Sequence, residues 1–276
     1  MMAIELASRP SASARDTWPR RVQRAADLSA IDTPSRALLV FYAALLQSQR
    51  RLYDQLRTSS DWIPRGTPER DLAQFRPQLT IVLSAVASAG PAPLAIEARR
   101  LIEAGDADLV EMLLRCWRAP SDRQFFAKAI LQPYAQCLAE RGVTPVDRER
   151  LRVDNRCPFC GGRPQLSLLS GAGDAALEGG ARALQCATCL TIWPFRRALC
   201  PQCGEEDERQ LGYFATTAFD HIRLETCDTC RHYLKCVDLT RLGVAVPLVD
   251  DVASASLDAW AAEHGYTKIE LNLVGL

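Results

Sequence analysis

Four Cys-x-x-Cys pairs stand between residues 157 and 230: Cys157/Cys160, Cys186/Cys189, Cys200/Cys203 and Cys227/Cys230. They take up eight of the eleven cysteines. Two thiolates three positions apart reach one ion from a single tight turn, and two such knuckles complete a tetrahedral sulfur shell that suits zinc or iron. The first two pairs are separated by residues 161–185 and the last two by 204–226, but the second and third only by 190–199. The spacing therefore predicts two sequential four-cysteine sites, Cys157/Cys160/Cys186/Cys189 and Cys200/Cys203/Cys227/Cys230. Pro158 and Pro201 follow the first ligand of their pairs, and Gly161 and Gly204 follow the second. Proline presets φ for the turn, and glycine permits the left-handed backbone behind it.

Three other readings fit less well. Nothing in the chain marks it as secreted, which argues against a disulfide framework. A thioredoxin-like redox pair places its first cysteine at a helix N-terminus, whereas Gly161-Gly162-Arg163-Pro164 and Gly204 do not propagate a helix. Incidental core cysteines would not recur at this interval. Cys116, Cys137 and Cys236 lie outside the pairs and are read as small buried hydrophobes. His221 and His232 are weaker ligand candidates, because eight thiolates already fill both shells.

A length of 276 residues with 48% apolar content leaves room for a real core beside the metal modules. Lys+Arg and Asp+Glu are both 33. Residues 150–240 carry eleven basic and eleven acidic side chains, to which eight thiolates and two divalent ions add minus four. A negative module is a poor match to phosphate, so nucleic acid is not the expected partner. The N-terminus lacks a signal-peptide layout, and the longest apolar run, 37–46, is too short to span a bilayer. The chain is read as soluble, cytoplasmic and without a membrane partner.

From Asp16 to Arg141 the apolar spacing predicts about six helices, with an interruption or kink near Pro77 in the one over 71–87, and with a bend at Pro133 in the one that Pro120-Ser121-Asp122 start. Residues 142–156 read as a linker holding the charged run 147–150. Hairpins are expected over 164–169 with 182–185, around a loop at 171–174, and over 210–215 with 221–225. Residues 190–195 join the two units and can bury Trp193 and Phe195 between them. A last helix opens at Asp250-Asp251, with the two aspartates as its caps, and stops at Gly265. The expected fold is α+β and multidomain: an all-α N-terminal domain (1–149), two small β modules (150–196 and 197–276), and a C-terminal helix within the second. No nucleophile–base motif, phosphate loop or zinc-protease motif is present. Both sulfur shells are closed, so an enzyme is not expected.

The chain resembles the FdhE family of formate dehydrogenase accessory proteins. The order CPxCG, CxxC, CPxCG, CxxC matches, as does the continuation of the last knuckle into Tyr233-Leu234-Lys235. Asp250-Asp251-Val252-Ala253-Ser254-Ala255-Ser256-Leu257-Asp258 is similar to the family's Asp-Asp-Leu-Ala-Ser signature, with Val252 in place of leucine. The resemblance covers about residues 150–276. It implies two rubredoxin-like modules, with iron the expected native ion and zinc the alternative. It also implies a cytoplasmic, chaperone-like assembly factor that binds the catalytic subunit of a respiratory formate dehydrogenase before export. Self-association is left open, and a nucleic-acid-binding zinc ribbon and a rubredoxin-like redox protein are the rival functions.

Overall fold

The computed structural model describes residues 16–120, 124–146, 154–170 and 182–276. The expected boundary at 149/150, the charged run 147–150, the loop at 171–174 and the helix start at Ser121-Asp122 lie outside these. Among the described residues the first half is all helical: α1 (Trp18–Ser29), α2 (Arg36–Thr58), α3 (Pro68–Ala73), α4 (Arg76–Ala89), α5 (Ala92–Ala104), α6 (Asp106–Arg118) and α7 (Phe125–Arg141). Helices α1, α3, α4 and α5 have proline at their first or second position. There the missing N–H needs no partner and the fixed φ favours the turn. Helix α7 closes on Gly142 at φ 67, whose N–H reaches Leu138 and Ala139.

Two prolines behave differently. Of the interruption or kink expected near Pro77, the structure has the interruption: α3 and α4 are separate, with the break at 74–75. Pro77 cannot donate to residue 73 and clashes with its carbonyl, so it starts a new helix instead of kinking an old one. Pro133 sits inside α7, which continues through it. Residues 126–138 of α7 are buried, apart from Lys128, and packing holds this helix where local propensity would not.

The second half is one mixed sheet with helices against it. Its strands are β1 (Pro164–Leu169), β2 (Arg182–Cys186), β3 (Ile192–Pro194), β4 (Leu211–Ala215), β5 (Ile222–Cys227), β6 (His232–Asp238) and β7 (Thr267–Lys268). Their order is β3-β2-β1-β6-β5-β4, with β7 beside β6. The hairpins β1/β2 and β4/β5 are antiparallel, and β1 pairs parallel with β6, Leu166 against Lys235 through Leu169 against Asp238. The two four-cysteine segments thus share a sheet through β6, a strand not foreseen in the sequence. The tail helix is interrupted: α8 (Pro247–Ala253) and α9 (Ala255–Glu263) meet at Ser254. The Ser254 hydroxyl bonds back to the carbonyls of Asp250 and Asp251 at 2.9 and 3.1 Å, which competes with the helical ladder.

One hydrophobic core runs through both halves. It joins Trp18, Leu45, Leu52, Ile130 and Leu138 of the helices to Phe159, Trp193 and Phe195, and it includes Cys157, Cys160, Cys186 and Cys189. Polar contacts stitch the same boundary. Gln185 donates to Asp16 at 2.6 Å, Gln132 to the Ala187 carbonyl at 3.1 Å, and Arg24 to both oxygens of Asp250.

Candidate metal centres

Each Cys-x-x-Cys turn is built alike. The residue after the second cysteine has positive φ in all four: Gly161 (71), Leu190 (61), Gly204 (78) and Arg231 (57). In three of them its N–H donates to the carbonyl of the first cysteine, as Gly161 to Cys157, Gly204 to Cys200 and Arg231 to Cys227, at 2.8–3.0 Å. The first cysteine's own N–H donates onward, Cys157 to Gly162, Cys186 to Thr191 and Cys200 to Glu205, each at 2.9 Å. This curl directs both sulfurs to one side. Glycine was legible as the turn residue in the first and third pairs. In the other two, Leu190 and Arg231 take the left-handed conformation against their own preference, a cost of roughly 1–2 kcal/mol each. The rest of the turn holds them there.

The turns pair in sequence. Cys157, Cys160, Cys186 and Cys189 form one group, and Cys200, Cys203, Cys227 and Cys230 a second, with the sulfurs of each within 4.8 Å of one another. Cross-hairpin sulfurs stand 3.5 Å apart in the first (Cys157–Cys189, Cys160–Cys186) and 3.7 Å in the second (Cys200–Cys230, Cys203–Cys227). A tetrahedral ion with sulfurs at about 2.3 Å sets the sulfurs about 3.8 Å from each other. Both groups fit such an ion, and each could hold one. Cys236 and the three histidines belong to neither. Cys236 is fully buried on β6, His221 Nε2 lies 3.0 Å from Asp250, and His232 Nδ1 lies 2.7 Å from the Cys230 carbonyl.

The two groups differ in their surroundings. All four cysteines of the first are at most 2% exposed. A Cβ added to Gly162 would stand 2.9 Å from the Cys186 sulfur and 3.2 Å from that of Cys160, so the backbone itself forms one wall. Burial pushes the Cys186 and Cys189 thiols well above their ordinary range. The second group lies at the end of β5 and β6. Cys200 and Cys227 are buried there, Cys230 is half-buried and Cys203 is exposed. Burial raises Cys200 to about 11. It acts in the same sense on Cys203, but the Glu205 amide and neighbouring thiols outweigh it and bring that group down.

The Tyr233-Leu234-Lys235 stretch and the Asp-Asp stretch meet in one buried cluster. Lys235 of β6 is fully buried and pairs with Asp251 at 3.1 Å and with Asp258, while donating to the Asp251 carbonyl at 2.6 Å. Lys268 of β7 pairs with the same aspartates at 2.8 and 3.3 Å. Gln165 and Asn272 donate to the other Asp251 oxygen, each at 3.0 Å, and Tyr233 donates to Asp258 at 2.8 Å. Two ammonium groups thus balance two carboxylates inside the protein. The aspartates do not open a helix, because α8 starts at Pro247. Asp250 instead reaches back to the Val246 N–H at 2.7 Å, in the manner of a capping box, and holds Arg24 and His221 as well. Tyr233 is buried in this network, while Arg231 and Arg197 are exposed.

Residues 156–197 match the family model described as FdhE, central domain, and residues 199–274 match FdhE, C-terminal domain. A protein of Aquifex aeolicus named Protein FdhE homolog is 39% identical over 152 residues, 55% of this chain and 52% of that one. The chain thus aligns with about half the length of that relative. A namesake from Haemophilus influenzae is 27% identical over 95% of this chain and 89% of its own. The crystal structure of the FdhE protein from Pseudomonas aeruginosa superposes with a TM-score of 0.68 at 25% identity, covering 97% of each chain.

Proposed function

Since the chain is an FdhE-type protein, we propose that it is an accessory factor for a respiratory formate dehydrogenase, binding the catalytic subunit in the cytoplasm before export and turning over no substrate itself. The observation that carries this reading is the pair of four-sulfur groups set in the matched central and C-terminal domains. In this reading Cys157, Cys160, Cys186 and Cys189 ligate one ion and Cys200, Cys203, Cys227 and Cys230 another, iron natively with zinc as the alternative. The ions supply folding energy and, as iron, a one-electron couple. The protein's own residues do the rest. The parallel β1–β6 pairing fixes the two centres in one sheet, and the Arg182–Glu225 pair, at 2.6 Å and buried, locks the first segment to the second. Closed sulfur shells leave no open coordination position for a substrate, which supports a binding role. Among the described residues no helix is long and apolar enough to cross a membrane.

A strain lacking the gene is expected to make the dehydrogenase's catalytic polypeptide at normal levels and to lose respiratory formate oxidation. Supplying this chain restores it, and affinity capture from a reduced extract brings down the catalytic subunit. Wild-type formate oxidation in the deletion strain contradicts the assignment, as does capture that retains no dehydrogenase polypeptide.

A further inference from the structure

The two sulfur groups are equal in chemistry and unequal in access. The first lies in the main hydrophobic core with all four cysteines buried, and the Gly162 backbone stands against two of its sulfurs. Thr188 N–H donates to the Cys186 sulfur at 3.3 Å, and the Thr191 hydroxyl lies 3.2 Å from that of Cys189. Replacing a ligand there requires opening the main core, an event that approaches global unfolding in free energy. Around the second, Cys203 and Cys230 form one edge of the tetrahedron, and that edge faces outward. Gly204, the counterpart of Gly161, has open space where a side chain would begin. One hydrogen bond spans the two turns at this edge. The Thr229 hydroxyl donates to Glu205 at 2.6 Å, and the Glu206 and Asp207 amides hold that carboxylate in place, each at 2.9 Å.

We infer that the second centre is an exchangeable one, open to an incoming soft donor of the thiolate or chelator class at its Cys203–Cys230 edge, with the Thr229–Glu205 bond as its latch, while the first centre is a closed structural one. This rests on the reading that both groups bind an ion. In the exchange step the bond from Cys203 sulfur to the ion breaks and a bond from the incoming thiolate forms. Cys203 departs with its electron pair as a thiolate and takes a proton from water. Nothing is oxidised or reduced, and the charge of the centre is unchanged. Thiolate reactivity follows exposure, and Cys203 is the exposed member of the eight.

The test uses the full-length protein loaded to saturation with zinc under reducing conditions, with total metal counted first. Fewer than two ions per chain would refute the underlying reading by itself. With two ions present, the chromogenic chelator pyridylazoresorcinol is added together with N-ethylmaleimide, and labelled cysteines are mapped by peptide mass spectrometry. The expected result is one equivalent released at least about ten times faster than the other, with Cys203 and Cys230 labelled before Cys157, Cys160, Cys186 and Cys189. Thr229→Val, an exposed change that touches no ligand, is expected to speed only the fast phase, about five-fold. Release of both equivalents at one rate overturns the inference, as does earlier labelling of the first group or a Thr229→Val effect on the slow phase.

Discussion

Cys186→Ser is expected to unfold the helical half of the chain together with the sheet, whereas Cys203→Ser is expected to leave the helices folded. Cys186 is fully buried in the core that also holds Trp18, Leu45 and Ile130. A structural zinc site of this kind supplies roughly 10–16 kcal/mol of folding free energy, comparable to the whole stability of a domain, about 5–15 kcal/mol. From sequence alone the helices should survive loss of the metal, because the linker at 142–156 reads as a boundary. The shared core removes that independence. Gln185, next to Cys186, is hydrogen-bonded to Asp16 at the start of the helices, and the neighbouring Ala187 carbonyl accepts from Gln132 of α7. Cys203 has no such position, and losing it leaves three ligands at an exposed edge. Circular dichroism at 222 nm with limited trypsin digestion separates the cases. A protease-resistant helical fragment with native ellipticity in Cys186→Ser contradicts the prediction.

Asp251→Ala is expected to cost about 3–5 kcal/mol, because it leaves two buried ammonium groups facing one carboxylate. Asp251 and Lys235 are fully buried and Lys268 nearly so, so water cannot make good the loss. The same residue sets an acid limit. Burial alone would raise the Asp251 carboxyl, but Lys268 and Lys235, helped by Asn272, outweigh it and hold it at about 2. That folded value lies below the unfolded one of about 3.9. The stabilisation is therefore complete above about pH 4 and is lost as pH falls toward about 2. Urea midpoints measured from pH 7 downward should show a wild-type decline in that window that is shallower in Asp251→Asn, where Asp250 and Glu225, also held below the usual carboxylate range, still titrate. A midpoint for Asp251→Ala that shifts by less than about 0.5 kcal/mol in stability would count against a network held by charge.

The knuckles were legible because their chemistry is local. Ligands three residues apart, with proline and glycine inside one turn, carry their geometry in the sequence. The pairing of knuckles was also legible from the unequal gaps between them. What escaped was long-range. Strand β6 has no alternation, since residues 233–237 are buried on both faces, and its parallel partner β1 lies some 70 residues earlier. Asp250 and Asp251 resemble helix caps to a reader of sequence, because their partners Arg24, Lys235 and Lys268 are brought in only by the fold. Pro77 and Pro133 show the same limit. Equal local penalties give a helix break at one and none at the other, and burial of α7 decides which. The Tyr-Leu-Lys and Asp-Asp motifs were visible as separate stretches. Their meaning as two sides of one buried ion cluster appears only when β6 is laid against α8 and α9.

The central claim is that the chain carries two four-thiolate metal centres of sequential pairing. Metal counting joined to X-ray absorption at the edge of the natively bound ion tests it most directly. The prediction is two ions per chain, each with four sulfur neighbours at about 2.3 Å and no nitrogen or oxygen neighbour. One ion per chain, or a light-atom ligand at either centre, would contradict it.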